Sequence, residues 1–431
     1  MTTKAGTTVP TPVPPPAAGP TRAHRPAPWV RTRLRAMPLA ALLTAALALV
    51  TVFLAAAFPR IADRGADTAL RQFTSSLGAD VTNLEYTSET VTGDTGANLE
   101  TVQHKLAAQV GRDLPLSPSG QVFGTRVKTE RKMFNQGFTR ISDVALPALG
   151  LYYLNGLADR ATLTAGTWPG PAPADGPLPI VLSQQAAETV NIKVGDVIES
   201  GTSGGVALRS AVVGLYRVND PQDPFWEGLG CPARACLAVK GEDAWYWTSG
   251  FVDGGSLTAL ARWGTSAQDF WRLPVDGGAL RADQLDRTRA ALGSYTSGPG
   301  MTTLVTASLR ADLHATSLMP DVLARASARY QAAAPLGAIG PAGVAGVAVV
   351  VLCLAAALST DRRTAEIRLL QARGGSRSGV LLRLLGEGTV TVLPAAVLGT
   401  ALALVLLPTP RWGNPVWSAA LRGTRARSRA P

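Results

Sequence analysis

The chain has 431 residues and a formal net charge of +11, so it is long enough for more than one domain with a sizeable core. Residues 1–58 carry six Lys or Arg and no acid, residues 59–330 carry 24 bases against 27 acids, and residues 331–431 carry eleven against three. Basic ends around a mildly acidic middle are typical of membrane topology. A nucleic-acid-binding protein would gather its positive charge on one folded domain, so we expect no nucleic-acid partner.

The first 58 residues combine a polar tail with an apolar segment. Residues 1–36 are rich in Pro and Thr and lack an apolar period, which predicts a disordered cytoplasmic tail. Residues 37–58 are uncharged, and about 20 helical residues match a hydrocarbon core of about 30 Å. The alternative is a cleaved signal, because Ala55 and Ala57 form an A-x-A pattern, although the apolar run is longer than signals usually carry.

Two more uncharged segments, 331–360 and 388–407, predict further membrane helices. Three such segments are hard to bury in a soluble protein. Arginines precede the first span, and residues 361–387 hold six Arg and three acids. The excess of positive charge on cytoplasmic loops then predicts a multi-pass protein of the cell membrane with a cytoplasmic N-terminus.

The region 59–330 is expected to be an extracytoplasmic α+β domain. A helix continues out of the first span, 81–91 has the composition of a strand, and 97–114 has apolar residues at helical spacing. Residues 178–218 predict a strand, a short helix and a hairpin whose turn is GTSGG. Helices are predicted at 279–291 and 303–331, the second leading into the next span. Two helical stems therefore hold the domain.

Catalytic and metal-binding motifs are absent from the sequence. Gly201–Gly205 matches G-x-S-x-G, but a nucleophile elbow needs a strand before it and a helix after it, and both neighbours here have strand patterns. There is no phosphate-binding G-x-x-x-x-G-K-[ST] loop, no H-E-x-x-H and no Cys/His cluster with zinc spacing. We therefore predict a non-catalytic chain without cofactor or metal, which depends on a partner for any energy from ATP.

The three cysteines suggest different roles. Cys231 and Cys236 lie in CPARAC within the predicted outer domain, where a disulfide is permitted. They form a disulfide, remain two free thiols, or take part in chemistry, and a metal site would need more ligands nearby. Cys353 lies in the second span, where a small buried apolar side chain is expected.

The loop 361–387 has the pattern of a folded elbow between spans. We predict a helix over 359–373, a break at Gly374 and Gly375, and a second helix capped by Ser376 that runs into the third span. The alternative is an ordinary basic inside loop. Glycines at 337, 340, 343 and 346 would permit close helix contact in lipid, either within one chain or in a dimer.

This loop also resembles a known family. Residues 363–377 are RTAEIRLLQARGGSR, Glu387 follows, and the stretch is similar to the signature loop of FtsX-like permeases, the membrane subunits of MacB-type ABC transporters. The order of span, large ectodomain and further spans is also similar. Residues 181–218 resemble the β-rich part of the family's periplasmic core domain. The resemblance covers roughly residues 37–407.

The resemblance implies a mechanism and partners. A separate ATPase dimer would close on ATP, and the loop would pass that motion through the stems to the ectodomain, which acts on an extracytoplasmic client by export or mechanotransmission. A homo- or heterodimer of permeases in the lipid bilayer is implied. By position, the ATPase-coupling residues would be Arg363, Glu366, Ile367, Leu370, Gly374 and Arg377.

The chain departs from the family in one respect. The family has four spans, and a basic tail at 408–431 stands where the fourth is expected. We therefore expect a chain truncated or frame-shifted after about Pro408, or one part of a split or duplicated permease.

Two functions compete with a permease: a membrane-anchored extracytoplasmic enzyme, and a membrane-anchored extracytoplasmic sensor or binding protein.

Overall fold

A computed structural model of the protein describes residues 38–408, apart from 143–144, 264–266, 362–363, 365–367, 370–371 and 373–376. The chain divides into two compact units. One comprises Ala62–Ala338, and the other comprises Met1–Ile61 together with Ile339–Pro431.

The described helices and strands follow in chain order. The helices are α1 (Pro38–Ser75), α2 (Gly78–Thr82), α3 (Gly96–Val110), α4 (Leu157–Arg160), α5 (Gln184–Val190), α6 (Leu257–Trp263), α7 (Leu285–Ser297), α8 (Pro299–Ser308), α9 (Met319–Asp361) and α10 (Arg377–Leu406). The strands are β1 (Asn83–Glu89), β2 (Val122–Val127), β3 (Arg131–Lys132), β4 (Ala148–Leu154), β5 (Ala161–Gly166), β6 (Leu178–Ser183), β7 (Val197–Ser203), β8 (Val206–Val218), β9 (Cys236–Lys240), β10 (Asp243–Phe251), β11 (Ala267–Pro274) and β12 (His314–Thr316).

The described strands form one mixed sheet in the order β12-β1-β11-β2-β4-β10-β6-β8-β5, with β3, β7 and β9 paired to β4, β8 and β10. Pairing is parallel between β4 and β10 and between β6 and β8, and antiparallel elsewhere. Neighbouring residues of β11 point to opposite faces of the sheet. Trp271 lies in the larger core, which also contains residues of the helices, and Phe270 lies in the smaller core. The predicted α+β character of the domain is confirmed.

Helix α3 shows how the sequence pattern becomes packing. Thr95 caps its first turn by accepting a hydrogen bond from the Asn98 N–H. Leu99 and Leu106 share one face and are fully buried, and burying a leucine side chain stabilises a fold by about 1.5–3 kcal/mol. The indole N–H of Trp271 donates to the Leu99 carbonyl oxygen at 2.9 Å, which fixes α3 on the sheet.

The segment with the G-x-S-x-G spacing is a hairpin, as predicted. Ser203 ends β7 and pairs with Val206, the first residue of β8. Gly204 and Gly205 both have positive φ, 57° and 82°, which a tight two-residue hairpin turn requires. Ser203 therefore has a strand on each side, without the helix that a nucleophile elbow needs.

The predicted continuous helix over 303–331 is wrong. Helix α8 ends at Ser308, Leu309 adopts a left-handed conformation with φ 60°, and the chain forms β12 on β1 before α9 begins at Met319. Tertiary pairing overrides the helical pattern here, because Arg310 is buried against two carboxylates of the sheet domain. No local sequence period signals that pairing.

Within the described residues, two helical stretches are long and apolar enough to cross a membrane, Ala41–Ser75 and Gly388–Leu406, with mean hydropathies of 2.5 and 2.2. Their most apolar windows are only 11% and 17% buried, so the chain itself covers little of their surface. By length and composition they are candidate spans. A shorter apolar stretch, Gly346–Ala355, lies within α9, and a crossing by 331–360 stays a prediction.

The two candidate spans contact each other closely at Gly399. Ala395, Gly399 and Ala403 are buried at four-residue spacing on one face of α10. A Cβ atom added to Gly399 would lie 2.7 Å from the Leu49 carbonyl oxygen of α1, closer than real contacts allow. Small residues permit such backbone approach in lipid. Of the glycines predicted for this role, Gly343 and Gly346 have nothing within 4 Å of an added Cβ.

We predict that Gly399→Ala destabilises the packing of α1 on α10 by about 1–2 kcal/mol, because overpacking forces the helices apart. Gly388→Ala is the matched control, since nothing lies within 4 Å of its added Cβ and alanine is the better helix former. Unfolding of the full chain in mild detergent with increasing SDS measures both. Equal stability of the two variants would contradict the close contact.

Candidate functional site

Most of the predicted ATPase-coupling surface lies outside the described residues. The positions concerned are Arg363, Glu366, Ile367, Leu370 and Gly374. The sixth, Arg377, is the first residue of α10. The described residues between them, Thr364, Arg368, Leu369 and Ala372, are helical. Leu369 and Leu385 are about 60% exposed, so apolar side chains lie open on both sides of the predicted Gly374 break.

The sheet domain holds the ends of both long helices in its larger core. Leu70 of α1 is buried there, as are Met319 and Leu323 of α9, each of the latter fully. The side chain of Asp67 accepts the Ala282 N–H at 2.9 Å. These contacts attach the two helices to the domain by buried apolar surface as well as by hydrogen bonds.

The two attached helix segments also contact each other. The guanidinium carbon of Arg329 on α9 lies 5.1 Å from the centre of the Phe73 ring on α1, a cation–π distance. Within the domain, α1 and α9 therefore form a pair, and displacement of one is opposed by contacts with the other. We refer to residues 62–75 and 319–338 as the stem roots.

A buried ion cluster lies just before α9. Arg310 donates to Asp269 Oδ2 at 3.0 Å and to Asp94 Oδ2 at 2.8 Å. The hydroxyls of Thr90 and Thr125 donate to the other oxygen of Asp269. Asp269 is fully buried and Arg310 is 5% exposed. Removing one partner of such a pair leaves an uncompensated charge in the interior, so the three charged residues act as a unit.

The same segment is tied to β1 after the arginine. The side chain of Asp312 accepts the Glu89 N–H at 2.6 Å and the Ser88 hydroxyl at 2.7 Å. The Ser317 hydroxyl donates to the Asn83 carbonyl oxygen at 2.7 Å. The chain is thus held from Arg310 to Ser317, directly before α9 begins, and the direction in which α9 starts is set by the sheet.

Burial raises the pKa of Asp269 to about 6, against the lowering effect of the threonine hydrogen bonds and of Arg310, with Asp94 raising it further. The unfolded carboxyl has a pKa of about 4. Between these values the folded state binds more protons than the unfolded state, so the contribution of Asp269 to stability decreases as the pH rises from about 4 to about 6.

The cysteines of CPARAC form a disulfide between Cys231 and Cys236, with Cα atoms 6.0 Å apart. The loop that it closes covers the smaller core. The buried hydroxyl of Tyr216 donates to the Pro232 carbonyl oxygen, and the Cys231 N–H donates to the Ser249 hydroxyl at 3.3 Å. The disulfide therefore fixes a short loop on the surface of the domain, with Ala233 packed against the smaller core and Ala235 packed against the larger one.

An open cleft of about 540 Å³ lies on the domain where the start of α3, the end of β4 and the loop after β10 meet. Its lining includes three carboxylates, two aromatic rings and a glycine of the loop after β10: Glu100, Asp159, Asp253, Tyr153, Trp168 and Gly254. In the described part of the chain, no group of three or more His, Cys, Asp or Glu has metal-binding geometry.

A scan against models of protein families and a search of curated proteins each found no match to this chain.

The sequence analysis did not predict the contacts that organise the domain. Arg310, Asp269 and Asp94 are far apart in the chain, and nothing in their local pattern marks them. The close helix contact at Gly399 could have been predicted, because Ala395, Gly399 and Ala403 place three small residues at helical spacing.

We predict that the free energy of unfolding of the wild-type chain, relative to that of Asp269→Asn, decreases as the pH rises from about 4 to about 7, by on the order of 1–3 kcal/mol, because the pKa of Asp269 is raised in the folded state. Urea unfolding in a neutral detergent, followed by tryptophan fluorescence, measures it. Asp286→Asn, an exposed carboxyl on α7, controls for the loss of one charge. A difference that does not vary with pH would refute the raised pKa.

The disulfide gives a further prediction. Replacing Cys231 and Cys236 by serine should lower the free energy of unfolding by about 2 kcal/mol, because a small loop is closed in the unfolded chain. Alkylation of native membranes followed by mass spectrometry should modify Cys353 alone until the protein is reduced. Alkylation of all three cysteines without reductant would show that the pair is not oxidised in the cell.

Proposed function

We propose that this chain is a permease subunit of an ABC transporter. It would couple ATP hydrolysis by a separate ATPase to motion of the domain at 59–330, for export or mechanotransmission. In this arrangement the protein is multi-pass in the cell membrane with a cytoplasmic N-terminus, and 331–360 is the crossing between the two candidate spans. It would act as a homo- or heterodimer on an extracytoplasmic client.

The observation that carries this proposal is the attachment of the stem roots. Leu70, Met319 and Leu323 are core residues of the sheet domain, and Phe73 contacts Arg329. A packed interior transmits displacement because it is close-packed and cannot deform smoothly. A domain that needed only an anchor would be served by a flexible linker, whereas stems embedded in the core suit the transfer of force.

The predicted coupling residues have distinct roles in this proposal. Arg363, Glu366 and Arg377 would supply charged contacts to the ATPase, and Ile367 and Leu370 would supply apolar ones. Gly374 would permit the turn between the helices on either side. The exposure of Leu369 and Leu385 supports a partner at this surface, because exposed apolar side chains near charged ones are typical of protein interfaces.

A second candidate function is a membrane-anchored sensor or binding protein. The cleft of about 540 Å³ on the domain favours it, because this volume lies in the range of ligand sites. A sensor would bind its ligand without any ATPase, and its coupling loop would tolerate charge changes. Gentle solubilisation of native membranes and capture of this chain separates the two functions, since only the permease carries an ATPase with it.

The decisive variant is Arg363→Glu combined with Glu366→Lys. The exchange keeps two opposite charges at the same spacing in the sequence but reverses each of them, and like charges brought together at an interface cost several kcal/mol. We expect ATPase recovered with the captured chain to fall at least about tenfold, which corresponds to about 1.4 kcal/mol. Quantitative mass spectrometry of the captured complex measures it.

The matched control is Asp286→Arg combined with Arg289→Glu, a double charge exchange on the exposed surface of α7. ATPase recovery with this variant should equal that of the wild-type chain. Undiminished recovery with the loop variant would contradict the assigned coupling surface, and the absence of any ATPase from the wild-type capture would favour the sensor.

A further inference from the structure

We propose that the cleft between α3, β4 and the loop after β10 binds a ligand through an ammonium or guanidinium group. The carboxylates of Glu100, Asp159 and Asp253 lie on different elements and meet at this cleft. Among the described residues, none that lines it is Lys, Arg or His. Converging negative charge in a concave site selects a cationic partner.

The positive groups closest in sequence do not neutralise the cleft. Arg160, which follows Asp159, forms an ion pair with Asp223. His104 Nε2 lies 3.9 Å from the Glu100 carboxylate, but the two side chains are 78% and 54% exposed, and exposed pairs contribute little. The cleft therefore keeps a local excess of negative charge.

Two aromatic rings complete the cleft. Trp168 is oriented by stacking on Tyr216, with ring centroids 6.4 Å apart and planes 21° from parallel. The ring of Tyr153 is packed against the backbone of Gly96 and Gly254, where an added Cβ would collide with it or lie 3.0 Å away. Guanidinium and ammonium groups bind over aromatic faces as well as to carboxylates. The cleft offers both kinds of contact.

The pKa of the Tyr153 phenol responds to the negative charge of the cleft. Its pKa is raised by burial and then by the nearby carboxylates of Asp253 and Glu100, so both carboxylates act on one point in the cleft. The phenol stays protonated at neutral pH and can donate a hydrogen bond to a carbonyl oxygen of the ligand.

An anion at the start of α3 is the competing ligand, since helix N-termini attract negative charge. Two of the first three N–H groups of α3 are already used, however. The Gly96 N–H donates to the Gly254 carbonyl oxygen at 3.1 Å, and the Asn98 N–H donates to Thr95. Three carboxylates around the same opening would repel an anion, so the cation is favoured.

This inference adds a ligand class to the proposed function, and it rests on that function only where the ligand is taken as the client. Binding itself needs no ATPase. A loss of cation binding would leave the ATPase-capture result unchanged, and a failed capture would leave the binding result unchanged, so the two proposals can fail separately.

The test uses the full chain in nanodiscs of zwitterionic lipid, purified without an ATPase. The probe is a fluorescent, end-blocked Gly-Arg-Gly-Arg-Gly peptide, and binding is read by fluorescence anisotropy at low salt. The same peptide with citrulline in place of arginine keeps the shape and removes the charge. Agmatine as competitor distinguishes a free small cation from a peptide-borne one, and maltopentaose tests for a sugar site.

Binding of the arginine peptide should weaken at least about tenfold with Glu100→Gln and Asp253→Asn together, which corresponds to about 1.4 kcal/mol. Asp159→Asn, at an exposed position, should weaken it in the same direction. Glu242→Gln with Asp243→Asn, exposed residues at the β9–β10 turn, removes equal charge away from the cleft and should leave binding unchanged.

Equal binding of the citrulline peptide, competition by maltopentaose, no detectable binding of the arginine peptide, or equal loss with the Glu242 and Asp243 control would each overturn the proposal. Competition by agmatine supports it with a small cation as ligand. Binding of the arginine peptide without competition by agmatine supports it with a peptide segment as ligand.

Discussion

The pairing of Arg310 with Asp269 and Asp94 is the constraint on which the route of the chain into α9 depends. Asp269 lies on β11 with no exposed surface, and a buried carboxylate is tolerated only with a charged or hydrogen-bonding partner. Arg310 reaches it from a segment in which α8 stops at Ser308 and Leu309 takes a left-handed conformation. The ion cluster therefore ends one helix and sets where the next one begins.

The position of the stem roots depends on this ion cluster. The segment from Arg310 to Ser317 is hydrogen-bonded along β1, so α9 starts at a position fixed by the sheet. Leu323 is then carried into the larger core, where Leu70 of α1 also lies. The two stems are held by the same interior, which links the electrostatics of one buried site to the mechanical role that we propose for the domain.

The cleft depends on a different constraint, the close approach of backbone and ring. Glycine at positions 96 and 254 allows the Tyr153 ring to lie against the chain, and any Cβ there would displace it. The disulfide loop also contributes, because its Pro232 carbonyl oxygen accepts the Tyr216 hydroxyl and so supports the ring against which Trp168 stacks. The cleft thus draws on both cores, because Val252 and Tyr153 pack in the larger core that also holds the stems, and Trp168 packs against the smaller one.

Local periodicity alone determined much of this protein. The helical spacing of Leu99 and Leu106 predicted α3, the glycine pair before Val206 predicted the hairpin, and uncharged runs predicted the candidate spans, because each signal depends on neighbours within one or two turns. Only the tertiary structure decided the break after Ser308, which helix Gly399 contacts, and the meeting of three carboxylates at the cleft. Those features depend on residues brought together from distant parts of the chain, and no local pattern carries that information.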